Sequence, residues 1–341
     1  MANKPIATPE MLNAVRESAG AAYQASVPVA TIANLQDVGN PIITYSANAN
    51  AFLNTLMNKI VATIVRRAIW ENPLQILRKE AMPLGMDVEE VHTNPAKEQD
   101  YDGTETGMAD LLKMHKPDSV AAWYRMNRQS KYSVTINNDQ LSQAFVSWAN
   151  LEAFIGQIVD SLYNANTIDE FKYTKQLVSD AITGDKLVTI EAAAPVDATT
   201  GRAFQVALRN LSMQFTFPSI KYNPYKKMGG TTDRTTWTKM EDQIILIRAD
   251  VAANVGVEVL SAAFNISYTD YLARQIIVDD FASENTLAVL ADKKAFYISE
   301  KLRKFAEFYN PSALNWQYYY HAWDTFSLAP FYNCVAIKSP A

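Results

Sequence analysis

Residues 138–184 read NDQLSQAFVSWANLEAFIGQIVDSLYNANTIDEFKYTKQLVSDAITG. Apolar side chains recur here at three- and four-residue steps, the spacing that places them on one face of a helix. Asn138 or Asp139 is suited to cap the first turn, and Gly184 to the left-handed position that ends many helices. At about 1.5 Å per residue the helix would be roughly 60 to 70 Å long. The pattern predicts one long spine helix, residues 138–184, whose apolar face other segments must cover.

Composition limits the classes of protein to which the chain can belong. A chain of 341 residues with 48% hydrophobic residues can form one large core or two moderate ones. The net charge of -5 gives no general attraction to phosphate backbones. Cys334 is the only cysteine, which excludes an internal disulfide and a cysteine-based metal site. The sequence shows neither a secretion signal nor a membrane-length apolar stretch, so we expect synthesis in the cytoplasm and no membrane contact.

The segments before the spine helix predict a thin arm and a second helix. Residues 1–45 contain one predicted helix, capped by Thr8 and closed near Gly20, in the Pro-first, Gly-last order that helices favour. The other apolar residues there are too sparse for a core of their own, which predicts an arm lying across another surface. Ser46 begins a second amphipathic helix, and a strand-like stretch follows over 63–70.

Two strand-like stretches, 86–91 and 122–136, flank about thirty residues that begin polar and acidic. They predict a long two-stranded ribbon, which is marginally stable alone because nothing covers its apolar side. We therefore expect another copy of the protein to cover it. On this interpretation Trp123, Tyr132 and Val134 are buried against a neighbouring subunit, and Val134→Asp leaves the core folded but blocks association.

The chain after the spine helix predicts an α+β module followed by aromatic strands. The last fifty residues are rich in aromatic side chains, and we interpret them as long antiparallel strands that pack back against the spine helix. Cys334 lies in an apolar strand pattern and is predicted to be an inert core residue. The predicted elements of the module are strand 187–191, helix 201–217, buried strand 244–247, helices 251–264 and 268–274, and strands 275–281 and 287–290.

Catalytic and metal-binding patterns are weak. No phosphate-binding glycine loop, nucleophile elbow or zinc-protease motif is present. His92 and His115 are expected on the exposed ribbon and His321 among the C-terminal aromatic strands, which argues against a metal site shared by all three. Adjacent residues in a strand face opposite sides, so paired carboxylates are interpreted as solvated edge charges. No catalytic residue, metal site or cofactor is predicted. The residues weighed are His92, His115, His321, Glu89–Glu90, Glu241–Asp242 and Asp279–Asp280.

The loop 219–239 mixes aromatic and basic side chains around two glycines. This combination occurs in proteins that bind single-stranded nucleic acid by stacking and charge. The acidic residues of the loop and the negative charge of the whole chain count against that interpretation.

Short motifs along most of the chain resemble a known family. The chain is similar to the major capsid proteins of small short-tailed bacteriophages that prime replication with a terminal protein. The motifs occur in the same order as in that family, which makes the resemblance specific. They are SVPVAT at 26–31, NPL at 72–74, PLG at 83–85, VEEV at 88–91, RMNRQ at 125–129, AFVSW at 144–148 and WQYYYHAW at 316–323.

The resemblance implies the α+β capsid fold of tailed phages, with an N-terminal arm, an extended β-ribbon loop, a peripheral domain built on the spine helix and an axial domain. Some relatives carry an immunoglobulin-like extension after the last strand, and nothing is predicted for it here. The implied divisions are the arm 1–45, peripheral segment 46–72, extended loop 73–137, spine helix 138–183, axial domain 184–292 and closing peripheral strands 293–341.

The resemblance also implies a structural function and not an enzymatic one. The protein would assemble through pentamers and hexamers into an icosahedral or prolate head around double-stranded DNA, with scaffold and portal proteins as partners and only weak DNA contact. Two alternatives stay open: an α+β enzyme with a cryptic carboxylate site, and a DNA-binding protein of the head interior. The implied inter-subunit residues are Glu89, Glu90, Trp123, Arg125, Arg128, Tyr132 and Val134, and those of the axial loop are Lys226, Lys227 and Arg234.

Overall fold

A computed structural model describes residues 8–62, 70–98, 114–255, 275–283 and 285–340. The chain forms two compact units, each assembled from three separate stretches of sequence. The predicted strand 63–70 and helices 251–264 and 268–274 lie wholly or largely outside the described residues. The first unit comprises Met1–Asn72, Arg128–Glu170 and Glu300–Asp324, and the second comprises Pro73–Asn127, Phe171–Ser299 and Thr325–Ala341.

The first unit begins with four helices. The cap predicted for the first of them is confirmed, because Thr8 Oγ1 accepts a hydrogen bond from the Met11 amide at 3.2 Å. Pro9 opens this helix, where a missing N–H has no effect on the helical hydrogen bonds. The first helix ends at Ser18 with Ala19 as its C-cap, which confirms the predicted end near Gly20, and Gly20 is also the N-cap of the second helix. The helices are α1 Pro9–Ser18, α2 Ala21–Ser26, α3 Leu35–Thr44 and α4 Ser46–Ala62.

The N-terminal segment packs on other segments of its own chain, in agreement with the expectation that its sparse apolar residues lie across another surface. Arg16 joins α1 to the end of α2 by donating to Gln24 O at 2.7 Å and to Val27 O at 2.8 Å. Sparse apolar residues cannot form a core alone, but here they cover α4 of the same chain. The side chains buried together include Leu12, Val15, Tyr23, Val27, Val38, Ile42, Phe52, Leu53 and Leu56.

The predicted spine helix is interrupted. Its first seven residues form α5 Asn138–Ala144, and the chain turns before α6 Trp148–Val159 begins. A π-helical segment, Asp160–Asn164, then leads into α7 Ala165–Thr183, next to the polar residues Asn164, Asn166 and Thr167. The apolar side chains keep a helical spacing across the turn between α5 and α6 because those on both sides of the turn face the same core.

The ends of the spine helix also differ from the prediction. Asn137 is the N-cap residue, and its amide donates to Gln140 Oε1 at 3.1 Å. At the other end Asp185, and not Gly184, adopts the left-handed conformation with φ of 50°. Trp148 is half-buried and donates its indole N–H to Ile32 O at 3.0 Å.

A three-stranded antiparallel sheet completes the first core. Its order is β3-β9-β8, with β3 Arg128–Asn137, β8 Phe296–Asn310 and β9 Asn315–Leu328. Tyr132 lies opposite Tyr320, and Val134 opposite Tyr318. The assignment of 122–136 to one ribbon strand is therefore wrong, because β3 pairs with β9 and its inward side chains pack on the chain's own core.

A buried ion network holds this sheet together. Arg128 and Asp324 are 5% and 2% exposed, and Arg128 Nη1 lies 2.8 Å from Asp324 Oδ2. Arg303 Nη2 lies 2.6 Å from the other carboxylate oxygen. Arg128 also donates to Tyr132 OH at 2.7 Å, and Tyr132 donates to Asp169 Oδ2 at 2.8 Å. Arg128 thus connects β3 with β9 and with α7.

The second unit is organised on a five-stranded mixed sheet. β5 Gln243–Arg248 is buried on both faces, which confirms the prediction from its unbroken aliphatic run. Ile245 and Ile247 share a core with α8 Ala198–Phe215 and α9 Ala249–Val255, whereas Ile244 and Leu246 share another with the C-terminal half of α7. None of the described helices is long and apolar enough to cross a membrane.

The last strand lies inside this sheet. β10 Cys334–Lys338 pairs parallel with β4 Val188–Glu191 and antiparallel with β7 Thr286–Asp292, and β6 Gln275–Val278 completes the order β4-β10-β7-β5-β6. The sequence interpretation grouped β10 with the closing strands, but β10 pairs with the strands of the α+β module. The predicted core position of Cys334 is confirmed, and burial raises the pKa of its thiol.

Candidate assembly surface

The ribbon of the second unit has two unlike faces. Strands β1 Val88–Thr93 and β2 Ser119–Tyr124 pair antiparallel, from Val88 opposite Tyr124 to Thr93 opposite Ser119. Side chains directly opposite each other share a face. The inner face carries the pairs Val88/Tyr124, Glu90/Ala122 and His92/Val120, and the outer face carries Glu89/Trp123, Val91/Ala121 and Thr93/Ser119.

The inner face packs on the chain's own second unit. The Tyr124 ring stacks on Tyr297 with centroids 4.6 Å apart and planes 9° from parallel. His92 stacks on Phe331 at 5.3 Å and 17°. His92 is therefore half-buried, and not exposed on the ribbon as the sequence interpretation had it. On this face the cover that we expected from another copy comes from the same chain.

Glu90 is a second attachment point of the inner face. Tyr332 donates its hydroxyl to Glu90 Oε1 at 2.5 Å, and Tyr124 donates to Glu90 Oε2. Burial, followed by the hydrogen bond to Glu90, raises the pKa of both phenols. The interpretation of Glu90 as a solvated edge charge is wrong, because its carboxylate is half-buried between two tyrosines; Glu89, on the outer face, is exposed.

The outer face is open to solvent and carries large apolar side chains beside polar ones. Trp123 is 57% exposed and Val91 58% exposed, with Ala121 between them on the same face. Leu84 and Met86, just before β1, are 50% and 55% exposed. Large apolar side chains gathered at one exposed place indicate an interaction surface more than an isolated exposed residue does.

The outward end of the described ribbon is held by the loop 219–239. Arg234, which is 1% exposed, donates to Asp118 O at 2.9 Å and to Asp118 Oδ1 at 2.8 Å. Asn94 donates to Asp118 Oδ2 and to Asp233 O, each at 2.7 Å. The hydrogen bond from Asn94, and then that from Arg234, lowers the pKa of the Asp118 carboxyl.

The tip of this loop carries exposed lysines on a fixed backbone. Lys226 lies 2.5 Å from Asp233, and Lys227 lies 2.7 Å from Asp185. Gly230 passes so close to Tyr225 that an added Cβ would lie 2.2 Å from its ring, so glycine is required there. Exposed ion pairs of this kind contribute little to stability, and the two lysines remain available to a partner.

The residues that the sequence nominated for subunit contacts do not converge on one site. Trp123 and Glu89 lie on the outer face of the ribbon, and Glu90 lies on the inner face. Arg125 is exposed and lies 3.1 Å from Asp87 at the ribbon's root. Three further candidates were expected on the ribbon but belong to β3, where they pack on the first core or join its ion network. These are Arg128, Tyr132 and Val134.

Sequence reasoning missed the polar residues that hold the ribbon. Asn94 and Asp118 flank the two strands, but a lone Asn and a lone Asp carry no motif. Tyr332 is more than 200 positions from Glu90, so no local pattern joins them. The buried arginine of loop 219–239 gave one usable signal, because a cation among aromatic residues often packs on a ring; the Arg234 guanidinium lies 5.3 Å from the Tyr225 ring centre. In the described part of the chain, no cluster of three or more His, Cys, Asp or Glu is placed to hold a metal.

Comparison with known proteins identifies the family. The sequence matches the model of the Phi29-like phage major capsid protein over residues 12–338. The major capsid protein of Bacillus phage PZA is 34% identical over 331 residues, covering 97% of this chain and 72% of that protein. The major capsid protein of Streptococcus phage Cp-1 is 28% identical over 351 residues, covering 97% of this chain and 94% of that protein.

Structural comparison supports the same assignment. A capsid structure of Staphylococcus phage Andhra matches with a TM-score of 0.67 at 15% identity, covering 82% of this chain and 87% of that one. This match confirms the predicted α+β capsid fold. Neither alternative considered from the sequence, an enzyme with a cryptic carboxylate site or a DNA-binding protein of the head interior, is favoured by these matches to capsid proteins. The chain belongs to the Phi29-like phage major capsid protein family.

Proposed function

We propose that this major capsid protein assembles through pentamers and hexamers into the phage head, and that the outer face of its ribbon is buried against a neighbouring subunit. The observation that carries the proposal is the contrast between the two ribbon faces. The inner face is covered by Tyr297, Phe331 and Tyr332 of the same unit, whereas Trp123 and Val91 on the outer face are more than half exposed.

The segments of the chain can be assigned to the parts of a tailed-phage capsid fold. We assign residues 73–127 to the extended loop, because β3 belongs to the first core, and residues 184–292 together with β10 to an axial domain. The segments around the spine helix are assigned to a peripheral domain. The exposed Lys226 and Lys227 suit contacts near the axes of pentamers and hexamers, where mixed charges set register and specificity more than affinity. Scaffold and portal proteins complete the set of proposed partners, and the negative net charge favours only weak contact with packaged DNA.

Trp123→Asp tests the role of the outer face. A charge at this exposed position should leave the subunit folded, because Trp123 contributes little to the chain's own core. In a neighbour's interface the same charge would be buried without a partner, so we expect at least a tenfold lower yield of closed shells. Shell yield is measured by sedimentation and negative-stain microscopy, and folding by circular dichroism.

Val196→Asp is the matched control, since Val196 is 78% exposed in the same unit but lies outside the ribbon. Normal shells from this variant, together with lost shells from Trp123→Asp, would support the assignment. Normal shells from both variants would show that the outer face is not buried on assembly.

A further inference from the structure

Arg234 makes contacts that loop packing alone does not require. Its guanidinium reaches from the loop 219–239 to the ribbon and donates to both the backbone carbonyl and the carboxylate of Asp118. It also donates to Thr232 Oγ1 at 2.7 Å within its own loop. The planar guanidinium suits this fork of two donors aimed at one residue, a geometry that lysine cannot reproduce.

The residues on either side of Arg234 are hydrogen-bonded to the end of β1, the ribbon strand opposite Asp118. Asn94, which directly follows β1, donates to Asp233 O at 2.7 Å and accepts from the Thr235 amide at 3.0 Å. Asn94 also donates to Asp118 Oδ2 across the ribbon. Three consecutive loop residues, 233–235, therefore bind both ribbon strands at their outward end, and the two strands are bound to each other there.

This attachment lies beyond the inner-face contacts of the ribbon. The Tyr124–Tyr297 stack holds the root, at the Val88/Tyr124 pair, Glu90 holds the next inner-face pair, and the His92–Phe331 stack holds the last one. The contacts at Asn94 and Asp118 lie beyond the last pair, Thr93/Ser119. Among the described strands none lies beside the ribbon, and two strands alone twist and bend easily. The loop contact holds both strands by hydrogen bonds beyond their last pair, and it therefore fixes the direction of the outward end.

We propose that Arg234 is a positioning residue for assembly: by binding Asp118 it locks the outward end of the ribbon to the loop 219–239. This inference rests on the proposed function of the ribbon's outer face. The lock sets the direction in which Trp123 is presented to a neighbour. It also makes the ribbon and the exposed Lys226 and Lys227 move as one body, so a contact made at the loop tip alters the ribbon's position.

Asp118→Ala is the principal test, because Asp118 is about half exposed and its loss should not unfold the unit. Amide hydrogen exchange of the unassembled protein should show at least tenfold faster exchange in β1 and β2, with β5 and β7 unchanged. Asn94→Ala should act in the same direction from the other strand. Arg234→Lys should restore only part of the protection lost in Arg234→Met, because it keeps the charge but loses the fork.

The matched control is Asp185→Ala. Asp185 lies outside the loop 219–239 and outside the ribbon, and it is the exposed partner of Lys227, which belongs to that loop. We expect its ribbon exchange to equal that of the unaltered protein. Unchanged ribbon exchange in Asp118→Ala, or an equal rise in β5 and β7, would overturn the proposal. Trp123→Asp separates the two ideas: it should lower shell yield with ribbon exchange intact, so failure of the outer-face assignment leaves the exchange test of the lock standing.

Discussion

Strands β2 and β3 are separated by only three residues, yet they are covered in different ways. β3 pairs with β9 along its length, and its inward side chains Tyr132 and Val134 pack on the first core. Among the strands that the structure describes, β2 has only β1 beside it, and Trp123 on its outer face is exposed. An alternating strand pattern thus reveals that one face is covered without revealing whether the cover belongs to the same chain or to a neighbour.

Arg128 and Arg234 show a similar contrast, because both side chains are buried but their carboxylate partners differ in exposure. Arg128 binds Asp324, and both side chains are nearly inaccessible. Arg234 is equally buried, but the side chain of its partner Asp118 is 51% exposed. A carboxylate inside a core is part of folding, whereas a half-exposed carboxylate can be removed with the fold intact. Variants of each kind should therefore separate folding from assembly.

Asp324→Ala should have the largest effect on stability. It leaves the guanidinium groups of Arg128 and Arg303 buried without their shared carboxylate, at a cost of about 3 to 5 kcal/mol in the free energy of unfolding. Urea denaturation of the unassembled protein measures this cost. Asp37→Ala, at an exposed position in α3, is the control and should cost less than about 1 kcal/mol. A similar small loss from both variants would show that the network does not stabilise the first unit.

Val134→Asp should have the next largest effect. The sequence interpretation expected a folded core from this variant, but the half-buried Val134 packs on the first core in the structure. The added charge should lower the free energy of unfolding by about 1 to 3 kcal/mol. Thr135→Asp places the same charge on the exposed side of β3 and should cost less than about 1 kcal/mol. Equal denaturation midpoints for the two variants would contradict the assignment of β3 to the core.

The sequence predicted the existence and type of several elements well. The helix now seen as Ala198–Phe215 and the buried strand Gln243–Arg248 follow from local periodicity, which needs no knowledge of partners. The break between α5 and α6 was missed, because the residues on both sides face one core and so preserve the helical spacing. Strand partners were missed for a different reason, since pairing of β3 with β9 joins residues almost 200 positions apart.

A smaller effect should distinguish the two ribbon faces by pH. Burial, and then the charge of Arg234, lowers the pKa of His92 below its ordinary 6.5, while a hydrogen bond with Asn94 and the charges of Glu90 and Asp118 oppose the shift. The inner face is therefore fully stabilised above about pH 6.5 and loses that stability as the pH falls through the lower pKa of the folded state. Among the described residues, the buried His92 Nε2 has no hydrogen-bond partner, so a proton added to this nitrogen would find no acceptor.

The measurement is amide exchange of β1 between pH 7.5 and 5, corrected for intrinsic rates. Exchange should speed up a few-fold toward acid in the unaltered protein. His92→Phe keeps a ring against Phe331 but does not titrate, so its corrected exchange should not vary over this range. The lowered pKa of Asp118 confines its own titration to more acidic conditions, below 3.8. The same pH response in both proteins would exclude His92 as its source.

The position of β10 has a consequence for synthesis of the protein. This strand leaves the ribosome after every other strand of its sheet, yet it must insert between β4 and β7, where it has neighbours on both sides. Translation products that stop before residue 334 lack an interior strand of that sheet and cannot complete the second unit. Prematurely terminated polypeptides should therefore stay unfolded and be degraded, so that incomplete subunits do not enter a growing shell.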